Sequence, residues 1–90
     1  MSRLINIGFG NAVNTDRVLS VVSPDAAPVR RMVSRARDNG ALIDATQGRK
    51  TKSVVVMTNG SIVLSALQPE TIVRRFNNPQ IRTEEDVEDE

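Results

Sequence analysis

Ser53 to Met57 reads SVVVM, Ile62 to Leu67 reads IVLSAL, and Thr58-Asn59-Gly60-Ser61 lies between them. Two β-branched apolar runs around an Asn-Gly pair predict an antiparallel hairpin. Asn and Gly are the residues that most readily supply the positive φ of a two-residue turn. A small chain with such a hairpin at its centre has to build its core around it. LINIGF (4–9) alternates, with Leu4 and Asn6 facing one way and Ile5 and Ile7 the other, and reads as a strand. Gly8, Gly10 and Asn11 break that pattern, and the glycines suit tight backbone with positive φ. RVLSVV (17–22) reads as a second strand and ALIDA (41–45) as a short third.

One long helix is expected within SPDAAPVRRMVSRARDNG (23–40). Ser23 is a good N-cap, Pro24 suits the first turn and Asp25 complements the helix dipole. Val29, Met32, Val33 and Ala36 form one apolar stripe, with Arg30, Arg31, Arg35 and Arg37 off it and Gly40 just past the end. Pro28 is tolerable only early in a helix and can shift its start. Gln68-Pro69-Glu70 opens a last short helix that should turn Ile72, Val73 and Phe76 inward and end at Asn77-Asn78-Pro79. The order β-β-α-β-β-β-α implies an α+β fold. It is a small single domain with a mainly antiparallel sheet, one main helix and a short C-terminal helix.

Residues 1–80 form that domain and 81–90 an acidic, solvated tail. Thr83 to Glu90 carries six acids and no base, so the net charge of +1 conceals a basic body. Over residues 1–82 there are twelve Lys and Arg against five acids, a net of +7. A body so charged points to a polyanion as partner. With 90 residues and no cysteine, no disulfide or thiolate metal site stiffens the core, and self-association is the usual remedy. The first residues, MSRLIN, do not read as a signal peptide, and no apolar run is long enough to cross a bilayer. A soluble, cytoplasmic, nucleoid-associated protein with no membrane partner is expected.

Histidine, cysteine, tyrosine and tryptophan are all absent. Their absence removes the commonest general base, the thiol nucleophile and nearly all transition-metal ligands. The body's acids, Asp16, Asp25, Asp38, Asp44 and Glu70, are scattered, and an arginine partner is the expected use of Asp44. Gly8-Phe9-Gly10 lacks the third glycine of a dinucleotide fingerprint, where Val13 stands. Gly48-Arg49-Lys50-Thr51 lacks the earlier glycine of a phosphate-binding loop, where Ile43 stands. No enzyme, cofactor, metal or small-molecule substrate is expected.

The distinctive segment is ATQGRKTKS (45–53), with Arg49, Lys50 and Lys52 within four residues between two apolar runs. Like charges so close repel, which is useful mainly where an anion is to be gripped. Gly48 permits close approach, and Thr46, Thr51 and Ser53 add hydroxyl donors, a composition suited to phosphate oxygens. A solvated loop tip is the plain alternative. Phe9 and Phe76 are the only aromatic residues, too few for a base-stacking platform, so duplex DNA fits better than single strands.

Four stretches, LINIGFGN (4–11), VSPDAAPVRRM (22–32), LIDATQGRKTKSVVVM (42–57) and IVLSALQPETI (62–72), together resemble the RemA family of bacterial DNA-binding regulators of extracellular-matrix and biofilm genes. The resemblance covers roughly residues 3–76 and leaves out the tail. It implies a transcriptional regulator that assembles into homo-oligomeric rings and wraps double-stranded DNA along a basic periphery. The DNA-binding residues it implies are Arg17, Arg49 and Lys50; Lys52 of the loop is a secondary contact, as is Arg31, one of the helix arginines (Arg30, Arg31, Arg35) that could extend the patch. The family often has arginine where this chain has Lys50 and Lys52; lysine keeps the charge without the bidentate fork. An oligomeric scaffold binding RNA or an acidic protein is the alternative function. The acidic tail is a candidate competitor for the basic loop.

Overall fold

The structure is a computed structural model that describes residues 3–77. Its strands are β1 (Leu4–Gly8), β2 (Asn11–Asn14), β3 (Val18–Val22), β4 (Leu42–Asp44), β5 (Ser53–Met57) and β6 (Ile62–Ser65). Its helices are α1 (Ala27–Asp38) and α2 (Pro69–Asn77). A four-stranded sheet runs in the order β3-β5-β6-β4, antiparallel except for the β4–β6 pair, and β1 and β2 form a separate antiparallel ribbon. The expected α+β class with one main and one short helix holds. The acidic tail lies outside the described residues.

The two faces of the sheet support two apolar clusters. Val54, Val56, Ile62 and Leu64 face α1 and pack with its stripe Val29, Met32, Val33 and Ala36. Val55 and Val63 face the other way, onto Ile5, Ile7 and Val13 of the ribbon and Ile72 of α2. The layers are therefore helix, sheet, then ribbon with α2. Strand alternation sends adjacent residues of β5 and β6 to opposite faces. Both strands are buried on both sides, so they read as continuous apolar runs. On β3, Val18 pairs with Met57 but Ser20 with Val56, so Leu19 is one residue too many and remains exposed.

Four local expectations are corrected. Asn11, expected to belong to a break, opens a strand, β2 (Asn11–Asn14), that the pattern does not mark. Its sequence, NAVN, carries one inward apolar residue, Val13, too short a pattern for periodicity to register. Helix α1 begins at Ala27, not after Ser23. Pro28 has no N–H to donate and fits only the first turn, while the Ser23 hydroxyl accepts from the Asp25 N–H in a local turn (3.3 Å). The β5–β6 hairpin closes over three residues, Thr58-Asn59-Gly60. The Gly60 N–H bonds to the Met57 carbonyl, and only Gly60 has positive φ, which gives a type I turn with a bulge. On α2, Val73 is exposed and Arg75 is buried in its place, because Ile72, Arg75 and Phe76 share the inward stripe. The Arg75 guanidinium donates to the Asn6 carbonyl of β1 (3.0 Å), which satisfies it there.

Strands β1, β3 and β4 match the pattern to within a residue at each end, Arg17 falling in the turn before β3 and Phe9 just past β1. Ile5 and Ile7 are buried while Leu4 is exposed. Gly40, with φ of 75°, ends α1; its N–H bonds to the Arg37 carbonyl and that of Ala41 to the Ala36 carbonyl.

Two buried serines, Ser53 and Ser65, pair across β5 and β6 beneath the ribbon. The Ser65 hydroxyl donates to the Ile7 carbonyl (2.7 Å) and accepts from the Leu67 N–H (3.1 Å), while the Ser53 hydroxyl donates to the Leu67 carbonyl. Ser65→Ala leaves a buried carbonyl and a buried N–H without this partner. Urea unfolding should show stability about 2 kcal/mol lower, with the slope unchanged.

Candidate nucleic-acid interface

The basic segment leaves the sheet at Ala45 and returns at Lys52. The Ala45 N–H bonds to the Leu64 carbonyl (3.0 Å) and the Lys52 N–H to the Ser65 carbonyl (2.9 Å). Both stems are thereby attached to neighbouring residues of β6, so the loop is held at its base. Inside it, the Asp44 carboxylate accepts from the Thr46 hydroxyl (2.6 Å) and the Thr46 N–H (2.9 Å). The Thr46 carbonyl accepts from the Arg49 N–H (3.0 Å), closing a tight turn. Its central residues, Gln47 and Gly48, have φ of 54° and 80°, the signature of a type I′ turn. Asp44 thus serves the turn first, and Arg37 contributes only a secondary electrostatic effect, not the expected ion pair. Its carboxyl lies below its ordinary value, chiefly through the Thr46 hydroxyl and N–H.

The turn directs its cations to different places. The Arg49 guanidinium carbon lies 5.5 Å from the centre of the Phe9 ring, at the tip of the β1–β2 ribbon. Lys50, Thr51 and Lys52 line a hollow of about 340 Å³ with Ser23, Asp25 and the start of α2, including Glu70. Arg30 and Arg37 line the crevice of about 320 Å³ between α1 and the sheet, which also includes Thr51. Arg31, the helix residue singled out from the sequence, is exposed one position, about 100°, around α1 from Arg30. The structure therefore brings Arg30 and Arg37 to the loop, which the sequence did not distinguish from their neighbours.

Arg17 is elsewhere. It closes the 3-10 turn Thr15–Arg17, and its carbonyl accepts from Thr58, at the Met57 end of β5. The basic loop enters β5 at Ser53. Four residue steps at about 3.4 Å place these ends roughly 14 Å apart. Arg17 instead borders an apolar cleft of about 390 Å³ lined by Ala12, Val13, Ile43, Met57 and Val63, among others. Ile43 is half exposed in it.

Phe9 was not singled out as a site residue. It has a φ of 57° and stands between Gly8 (108°) and Gly10 (78°), making three positive-φ residues in succession. A side chain in that conformation costs about 1–2 kcal/mol. The signal was in the sequence, as an aromatic residue between two glycines. Only the fold shows that the ring meets Arg49.

Among the described residues, no three acidic side chains cluster so as to hold a metal ion, and no helix is long and apolar enough to cross a membrane.

Comparison with known proteins gives a consistent picture. The model of the RemA-like family, described as extracellular matrix regulatory protein A-like, matches residues 4–76. A Lachnoclostridium phytofermentans protein named "Putative regulatory protein" is 62% identical over 77 residues, covering 86% of this chain and 85% of its own. Proteins of the same description from Bacillus cytotoxicus and Bacillus mycoides are each 52% identical over 83 residues, covering 92% of this chain and 95% of theirs.

The role of Asp44 can be checked by titration. Its folded pKa is lowered from 3.8, so its charge contributes stability that is present above that value and lost as pH falls through the folded pKa. Asp44→Asn keeps an acceptor for Thr46 without the charge. Its unfolding midpoint should lie below wild type at neutral pH, and the gap should close below about pH 4.

Proposed function

The chain belongs to the RemA-like family, and from that premise we propose that it is a non-enzymatic transcriptional regulator of extracellular-matrix genes. In this reading it assembles into a ring and holds duplex DNA by its phosphates. The observation that carries the reading is the pinned basic turn. Arg49, Lys50 and Lys52 project from a loop whose two stems are bonded to adjacent carbonyls of β6, so little ordering remains when a phosphate arrives. Gly48 leaves its backbone open, with nothing within 4 Å of where a side chain would begin. Lysine at 50 and 52 supplies charge without the planar fork, which favours backbone contact over base readout.

The place of Arg17 supports an assembly of several copies. On one chain it and the loop occupy opposite ends of β5, so a continuous cationic track requires adjacent copies to supply Arg17 and loop in turn. The apolar cleft beside Arg17, with Ile43 partly exposed, suits a subunit contact. Many weak loops acting on one duplex raise the overall affinity far above that of any one. The regulatory names carried by the relatives agree with this role. The missing His and Cys agree with a non-enzymatic role.

Fluorescence anisotropy with a duplex of several helical turns, titrated across salt, tests the clamp. Wild type should show a slope of about −0.9 per phosphate neutralised, and Arg49→Ala with Lys50→Ala should lose several units of it. Equal binding by wild type and double mutant would reduce the loop to a solvated tip and turn attention to an RNA or an acidic protein as partner. Arg17→Ala and Arg49→Ala should retain the wild-type mass by light scattering while losing most DNA binding. A drop in mass would assign the residue to a subunit contact.

The six acids of residues 83–90 are proposed competitors for the same loop. Their deletion should tighten non-specific duplex binding at low salt; unchanged affinity would remove the tail from the mechanism.

A further inference from the structure

We propose that Phe9 is a positioning residue for DNA binding: its ring, presented by the strained tip of the β1–β2 ribbon, holds the Arg49 guanidinium in the orientation that meets a phosphate. The inference rests on the duplex-binding reading above and adds a residue to it.

Among the described residues, the two non-glycine positions with left-handed backbone are Phe9 and Gln47. They flank the same side chain: Gln47 sits within the turn that presents Arg49, and Phe9 lies beneath its guanidinium. Strained backbone persists where the surrounding structure enforces it, and its concentration at one arginine points to function there. Glycine would occupy position 9 without strain, so the presence of an aromatic residue calls for a use of the ring. The ring's described contact is with Arg49. Phe76 packs against the main apolar cluster, whereas Phe9 is in neither cluster among the described residues.

The ribbon tip is built to keep the ring in place. The Asn6 side chain accepts from the Gly8 N–H (2.6 Å). The Asn11 amide donates to the carbonyls of Gly8 (3.1 Å) and Phe9 (3.3 Å). The Ile7 carbonyl accepts from Ser65, which also receives the Lys52 N–H on its own carbonyl. Ribbon tip and basic loop are therefore referenced to one residue of β6, and the ring and guanidinium are brought to a 5.5 Å separation from two separate segments. An arginine side chain has many rotamers, and a ring face attracts its cation and narrows them before DNA arrives. A guanidinium carries its N–H donors in its plane, so a face resting on a ring leaves the edge as the side that meets a phosphate.

The test uses the full chain with Phe9→Leu, Phe9→Tyr, Arg49→Ala and the Phe9→Leu/Arg49→Ala double variant. Leu keeps bulk and the same backbone requirement but has no π face; Tyr keeps the face. Without DNA, the Arg49 Hδ and Hε resonances should be shifted upfield by the ring in wild type and Phe9→Tyr, and not in Phe9→Leu. Phe9→Leu should weaken duplex binding by at least about fivefold, with melting temperature and assembled mass unchanged, and Phe9→Tyr should restore it. In the Arg49→Ala background Phe9→Leu should have no further effect, since it acts through that side chain.

Absence of the upfield shift in wild type would overturn the contact. A shift present while Phe9→Leu binds DNA like wild type would overturn the positioning role. An additive loss in the double variant would make the ring a structural element of the ribbon. If Arg49→Ala itself binds duplex like wild type, the duplex reading fails and the positioning role fails with it. The resonance shift then distinguishes that outcome from a missing contact.

Discussion

Ser65 is where the parts of this molecule are joined. It ends β6, pairs with Ser53 of β5, and its hydroxyl bonds both to the ribbon at Ile7 and to the chain leading into α2 at Leu67. Its carbonyl receives the N–H of Lys52, where the basic loop returns to the sheet. A hydroxyl both donates and accepts, so one small buried side chain ties sheet, ribbon and helix approach together without leaving a polar group unpaired. An aliphatic residue there would pack as well and align nothing. The geometry of the candidate interface depends on this junction, because the ribbon that carries Phe9 and the loop that carries Arg49 are separate segments that both bond to this residue.

Around that junction the protein tolerates unfavourable local choices. Phe9 and Gln47 adopt left-handed backbone, three cations crowd into four residues, and Arg75 is buried under the ribbon. The first three lie at or beside Arg49. Arg75 is of another kind: its guanidinium bonds to Asn6, the residue whose side chain also shapes the ribbon tip. Left-handed backbone and like-charge repulsion are thus concentrated around Arg49, while the sheet beneath is apolar and buried on both faces.

Elements with a long pattern were legible. The strands β5 and β6, the apolar stripe of α1 and its end at Gly40 each rest on several residues that agree, and family membership rests on four stretches spread across the body. Short or ambiguous elements were not. Strand β2 offers one inward residue. The start of α1 contains two prolines and a serine, each able to begin a helix somewhere nearby. The exchange of Val73 for Arg75 in the core depends on a carbonyl of β1, sixty-nine residues away in sequence, which no local pattern can contain.

The sequence by itself determined the hairpin, the main helix, the charge of the body, the lack of His, Cys, Tyr and Trp and the basic loop as the segment to examine. Those are properties of composition and short-range periodicity, carried by neighbours along the chain. The tertiary structure alone decided that Arg17 and the loop stand at opposite ends of β5, that Arg30 and Arg37 rather than Arg31 approach the loop, and that Phe9 lies under Arg49. Each of these depends on how distant segments are brought together. The contacts that do so, among them the bonds of Ser65, the Arg17 carbonyl to Thr58 and the packing of α1 on the sheet, join residues that have no spacing in common.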